Sequence, residues 1–293
     1  MCGPLARVNS NTIATFPGNP RGARVRGMPR ARVGDIEMYY EVHGDGPRTL
    51  VMIRGLGSNL CAWYEQTPVF AKQFRTVVFD NRGAGRTDKP DAQYAIAQMA
   101  ADTRGLMDSL GIRRAALLGI SMGGMIAQEF AINYSERLEC LVLGCTTFGG
   151  SQAVAAQQSI VAAVTAGTNA SAEQQKLQLK AVFSDETIER RAEVVAKYQR
   201  ARELYPIPPF AFMRQVQAIM QHDTSTRLGL IKTPTLVMTG REDRLVPAMN
   251  SKLIAARIAG ARLFEMAGGH LFFTEHPGPF NGAVTDFVNQ HAS

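Results

Sequence analysis

Long apolar runs are missing from this 293-residue chain. None approaches the roughly 18 residues that a bilayer-spanning helix needs, so no membrane partner is expected. Cysteine is scarce. The four thiols, Cys2, Cys61, Cys140 and Cys145, form no C-x-x-C pair and no Cys/His cluster. That excludes zinc sites of familiar spacing, and it points to reduced thiols, no metal and a cytoplasmic protein. Repeats of solenoid period and low-complexity tracts are absent too.

Acids are missing from residues 1–30, which hold Arg7, Arg21, Arg24, Arg26 and Arg30. Of the formal charge of +7, only +2 therefore belongs to the rest of the chain. A basic arm on a nearly neutral body is a poor footprint for a nucleic-acid groove, and no nucleic-acid partner is expected. The arm is rich in Gly, Pro and Asn and lacks periodicity, so residues 1–30 read as disordered. It also lacks the apolar core of about 7–15 residues that a secretory signal needs.

What is present is an alternation. Ile36–Val42 partly alternates and ends at Gly44-Asp45-Gly46-Pro47, a hairpin signal. Thr49–Ile53, Thr76–Phe79, Ala115–Gly119, Leu138–Gly144, Thr235–Met238 and Arg262–Met266 read as further strands, several of them continuous apolar runs of the kind buried in a parallel sheet. Helical patterns over Leu60–Phe74, 95–110 and Met122–Tyr134 separate the earlier ones. The alternation predicts an α/β fold, with a mainly parallel central sheet and helices on both faces. It fails over residues 151–229, where helices are predicted at 152–165, 171–182, 185–203 and 209–222. Such an insertion, set between core segments 31–150 and 230–293, would cover the strand C-termini as a helical cap.

Gly119-Ile120-Ser121-Met122-Gly123 fits G-x-S-x-G between a buried strand and a helix. On such a turn a serine Oγ stands clear of the backbone, facing the unpaired N–H groups of the helix. Five residues alone would equally suit a serine that merely caps the helix. A nucleophilic hydroxyl needs a base, and the base needs an orienting carboxylate. Of the five histidines, only His270 follows a late strand, in Ala267-Gly268-Gly269-His270. The acid should follow another strand between Ser121 and His270, where Glu242 and Asp243 both qualify chemically.

These segments resemble the α/β-hydrolase superfamily in its cap-bearing esterase, enol-lactonase and perhydrolase-like branch. The resemblance runs from about Val33 to Gln290. Asp80-Asn81-Arg82-Gly83-Ala84-Gly85 resembles the family's D-x-R-G-x-G turn, and Gly119–Gly124 its nucleophile elbow. Gly240–Pro247 resembles G-x-x-D-x-x-x-P, which places the family acid on Asp243. Gly269-His270 resembles its histidine loop. The resemblance implies an oxyanion hole made by the backbone N–H groups of Leu56 and Met122.

One departure stands out. Arg54-Gly55-Leu56-Gly57 carries arginine where the family usually has histidine. Arg54 is either a structural hydrogen-bonder of the loop or a contact for a substrate carboxylate. The reaction expected is cofactor-free hydrolysis of a small-molecule carboxylic ester or lactone through an acyl-enzyme. C–C bond hydrolysis, perhydrolysis and non-catalytic ligand binding by the same fold stay open. Phe210, Phe212, Met213 and Met220 are candidates for an apolar wall, and packing of the cap on the core explains them equally well.

Overall fold

Residues 29–167 and 170–291 are described by the structure, a computed structural model. The expected arm lies outside them up to residue 28. Its last residue, Arg30, is not disordered: it opens a strand and pairs with Tyr39.

The apolar runs become strands β1 (Arg30–Val33), β2 (Ile36–His43), β3 (Thr49–Ile53), β4 (Arg75–Phe79), β5 (Ala115–Ile120), β6 (Leu138–Gly144), β7 (Thr235–Gly240) and β8 (Arg262–Met266). They form one sheet in the order β1-β2-β4-β3-β5-β6-β7-β8. The pairings β1·β2 and β2·β4 are antiparallel, and every other pairing is parallel. Central strands of a parallel sheet are covered on both faces, and all six residues of β5 are buried.

Side chains alternate between two cores, as the twofold strand period requires. Val51, Ile53, Val77 and Leu117 enter one, while Leu50, Met52, Val78 and Leu118 enter the other. The first core is closed by helices α2 (Ile96–Ser109) and α3 (Met122–Asn133), which supply Met99, Leu106, Ile126 and Phe130. The short α1 (Thr67–Phe70), among others, closes the second.

Between β6 and β7 run α4 (Gln158–Thr165), α5 (Ala172–Val182), α6 (Asp185–Arg190), α7 (Ala192–Glu203) and α8 (Pro209–Met220). The chain then adds α9 (Met249–Arg257), α10 (Phe272–Glu275) and α11 (Pro277–His291). The inserted helices touch segments that leave the C-terminal ends of strands. Asn59 Nδ2 donates to the Ala201 carbonyl, Gln215 Nε2 to that of Arg82, and the Leu271 N–H to that of Val182.

Three local expectations are corrected. Gly44–Pro47 is not a hairpin: β2 turns back on β1 through Gly34-Asp35, and β4 separates β2 from β3. The glycines serve close packing instead, since a Cβ on Gly44 or Gly46 would lie 2.2 or 2.0 Å from a carbonyl oxygen of Ala71 or Gln73. The single helix predicted over Leu60–Phe74 is split into a tight turn, Leu60–Trp63, and α1. Asn59 caps the first piece through the Cys61 N–H, and Pro68, lacking an N–H, fits only the start of a second. The helix predicted over 185–203 breaks at Arg191, which leaves helical geometry (φ −132°, ψ 53°) and donates through Nη1 to the Glu275 carbonyl.

Candidate active site

Ser121 sits between β5 and α3 with φ 56° and ψ −125°. Among the described residues, only Cys145 shares a positive φ without being glycine. A strained serine persists only where its surroundings over-determine it, and here neighbouring backbones do so. A Cβ on Gly119 would lie 2.2 Å from the Gly123 carbonyl oxygen, and one on Gly123 would lie 2.3 Å from that of Ile53. The Ser121 N–H donates to the Gly144 carbonyl at 2.9 Å, and Thr146 Oγ1 donates to the Ser121 carbonyl at 2.8 Å. The Ser121 side chain makes no cap hydrogen bond to α3.

Its Oγ faces His270 instead, 3.0 Å from Nε2. The His270 Nδ1 lies 2.8 Å from Asp243 Oδ2. A carboxylate can only accept, so Nδ1 carries the proton and Nε2 is left to accept from Ser121. Asp243 Oδ1 accepts the N–H groups of Leu245 and Val246 at 2.9 and 2.7 Å. Glu242, the other chemically suitable acid, makes different contacts. Glu242 is exposed and bonded to Gly268, its N–H donating to the carbonyl and its Oε1 accepting the N–H. The other histidines lie elsewhere: His43 pairs with Glu41, and His222 is buried beside Glu129.

Leu56 and Met122 flank Ser121 on the loop after β3 and at the start of α3. Neither N–H donates in any loop or cap hydrogen bond of the described residues. Gly55 brings the loop in, because a Cβ there would lie 2.8 Å from the Ser121 Cβ. Two amides hold the loop in place. Asn81 Nδ2 donates to the Arg54 carbonyl at 2.9 Å, and Gln215 Oε1 accepts the Gly57 N–H at 2.9 Å. Sequence reasoning did not find Gln215, which sits in a helix with no motif around it. Asp80 of the D-x-R-G-x-G turn is wholly buried and accepts the N–H groups of Leu60 and Arg86, both at 2.7 Å. Burial pushes its carboxyl up.

A cavity of about 90 Å³ opens between Ser121, His270, Arg54, Tyr198, Phe212 and Leu245. Of the expected apolar wall, only Phe212 lines it. Phe210, Met213 and Met220 are exposed, on the outer face of α8. Helical periodicity explains the split, since Phe212, Gln215 and Val216 share the inward stripe. Arg54 does act as a loop hydrogen-bonder, with Nε donating to Ser58 Oγ at 3.0 Å, and its side chain lines the same cavity. Among the described residues, no group of three His, Cys, Asp or Glu side chains could hold a metal ion, and no helix is long and apolar enough to cross a membrane.

The topology and the elbow define a class, and comparison with known proteins agrees. The family profile described as alpha/beta hydrolase fold matches residues 48–277, and the chain belongs to that family. A putative carbamate hydrolase, RutD, of Rhizobium rhizogenes is 31% identical over 264 residues, covering 86% of this chain and 97% of that one. The 3-oxoadipate enol-lactonase 2 of Acinetobacter baylyi is 28% identical over 260 residues, covering 85% and 92%. The solved enol-lactonase of Burkholderia xenovorans LB400 superposes with a TM-score of 0.79 at 29% identity, covering 89% of this chain and all of that one. The chain is therefore a hydrolase of this superfamily.

Proposed function

We propose that the protein hydrolyses a small-molecule carboxylic ester or lactone through an acyl-enzyme formed on Ser121. The observation that carries this reading is the chain of contacts from Ser121 Oγ to His270 and from His270 to Asp243. Ser121 attacks the carbonyl carbon as its proton passes to His270 Nε2. Asp243 keeps the imidazole in the accepting tautomer and stabilises the imidazolium. The N–H groups of Leu56 and Met122 receive the tetrahedral oxyanion. His270 returns its proton to the leaving oxygen, the C–O bond breaks, and a water activated by His270 then cleaves the acyl-serine. Helices α4 to α8 serve as the cap that shapes the substrate pocket.

Similarity to an enol-lactonase supports the ester and lactone class, and similarity to putative carbamate hydrolases adds carbamates to the substrates worth testing. A fluorophosphonate should label Ser121 in the wild type and not in Ser121→Ala. The same substitution should lower turnover of a p-nitrophenyl ester at least about 10³-fold. A folded wild type that resists the label and turns over no ester, lactone or carbamate would favour a ligand-binding role for the fold.

A further inference from the structure

Arg54 is a cation without an anion. The residue is only 4% exposed, and it lines the cavity that holds Ser121 and His270. Nε donates to Ser58, and among the described residues Nη1 is buried without a partner. The ionisable groups acting on it are Tyr198, Cys145 and Tyr64, with no carboxylate among them. Buried charges in proteins are ordinarily paired, because desolvation is costly. Here burial pulls the guanidinium down to about 10. The aromatic faces of Trp63 and Phe273, 4.7 and 5.3 Å from its Cζ, offset part of that cost.

The rest of the cavity has the same sign. Its lining includes a second arginine, the exposed Arg202, and neither aspartate nor glutamate. Positive charge in a small, largely apolar cleft concentrates anions there. Loop geometry alone does not require this charge. Ser58 needs one donor, which a neutral side chain could supply, and the remaining donor edge is left unused.

We infer that the substrate ester or lactone carries a carboxylate, and that the free edge of the Arg54 guanidinium receives it. The inference rests on the hydrolytic reading of Ser121 and narrows it. A planar guanidinium edge matches the two oxygens of a carboxylate. The carboxylate supplies the missing counter-charge, so a substrate without one leaves Arg54 buried and unpaired in the complex.

The test compares ionised esters with their methylated partners at neutral pH. Mono-p-nitrophenyl glutarate against its methyl ester places the carboxylate on the acyl side. 4-Acetoxybenzoate against methyl 4-acetoxybenzoate places it on the alcohol side. The wild type should prefer at least one ionised ester in kcat/KM by about 10- to 100-fold, the range of a charge-assisted hydrogen bond. Arg54→Met should shrink that preference at least about tenfold, and Arg54→Lys should retain part of it. Only the ratio is read, because Arg54 also steadies the loop. No preference in the wild type, or an equal loss on both members of a pair, overturns the inference.

Binding keeps the two readings distinguishable and does not depend on how Arg54→Met folds. Calorimetric titration of Ser121→Ala with glutarate and glutaramide should show binding of the diacid at least about tenfold tighter. Equal or absent binding overturns the role of Arg54. Diacid binding together with a wild type inert to every ester would preserve that role and sink the hydrolytic reading.

Discussion

Asp243 reaches His270 with one carboxylate oxygen and is anchored through the other: Oδ2 lies 2.8 Å from Nδ1, while Oδ1 accepts the Leu245 and Val246 N–H groups. Asp243→Asn separates these two tasks. The amide oxygen can keep both backbone bonds, so the turn and the melting temperature should hold. Its NH₂ donates to Nδ1, which drives the imidazole proton to Nε2 and removes the acceptor for Ser121. A fall in kcat of about 10⁴-fold on a p-nitrophenyl ester is expected. A fall of less than about tenfold would remove Asp243 from the mechanism.

Gly55 tests how closely the loop after β3 must approach the serine. The Cβ of Gly55→Ala would sit 2.8 Å from the Ser121 Cβ and 3.2 Å from Oγ. Either the loop retreats, withdrawing Leu56, or the serine is displaced from His270. A displacement near 1 Å costs about 100-fold, which is the loss expected in kcat/KM and in fluorophosphonate labelling rate. The fold should lose about 1–3 kcal/mol as it absorbs the methyl. Unchanged labelling would show that the loop yields freely.

Sequence reading succeeded where residue type and period carry the information. The short, continuous apolar runs around β5 and β6 read as buried strands, and glycines flanking Ser121 announce a backbone too crowded for a Cβ. It failed where tertiary contact decides. Nothing local shows that Gly44 and Gly46 pack against the turn before β4 and form no hairpin, or that Arg191 leaves helical geometry while its side chain reaches Glu275. Gln215 was invisible for the same reason, since the Gly57 N–H that it accepts lies far away along the chain, and so was the bond between Glu275 and Ser184. Asp243 was separable from Glu242 by family pattern alone. In three dimensions the choice is made by which side chain turns toward His270.

Glu275 is a stability prediction. Its Oε1 accepts the Gly269 N–H at 2.7 Å, and Oε2 accepts the Ser184 N–H at 3.1 Å and the Ser184 hydroxyl. One buried carboxylate thus ties the loop before His270 to the cap residue of α6. Glu275→Ala strands two buried N–H groups, while the Ser184 hydroxyl keeps Thr187 Oγ1 as an acceptor, and should cost about 3 kcal/mol in urea unfolding. Glu275→Gln keeps one oxygen acceptor and should cost about half as much. Equal costs for the two variants would mean that the contacts are not the source of the effect.

His222 sets a pH dependence that can be assigned a sign. It is 5% exposed, Nε2 has no partner among the described residues, and burial lowers its pKa from 6.5 to about 4. Glu129, 3.7 Å away, opposes that shift, but Arg227 pairs with the same carboxylate. The folded protein therefore holds His222 neutral where the unfolded chain would protonate it. Between those two values the unfolded state binds more protons, so stability falls as pH drops and is unaffected by this group above the upper one. From pH 7 to pH 5 the loss from His222 should be about 2 kcal/mol. Urea midpoints of the wild type and His222→Gln at both pH values measure it: the variant should lose less on acidification by that amount. Parallel losses in the two proteins would assign the acid sensitivity to other groups.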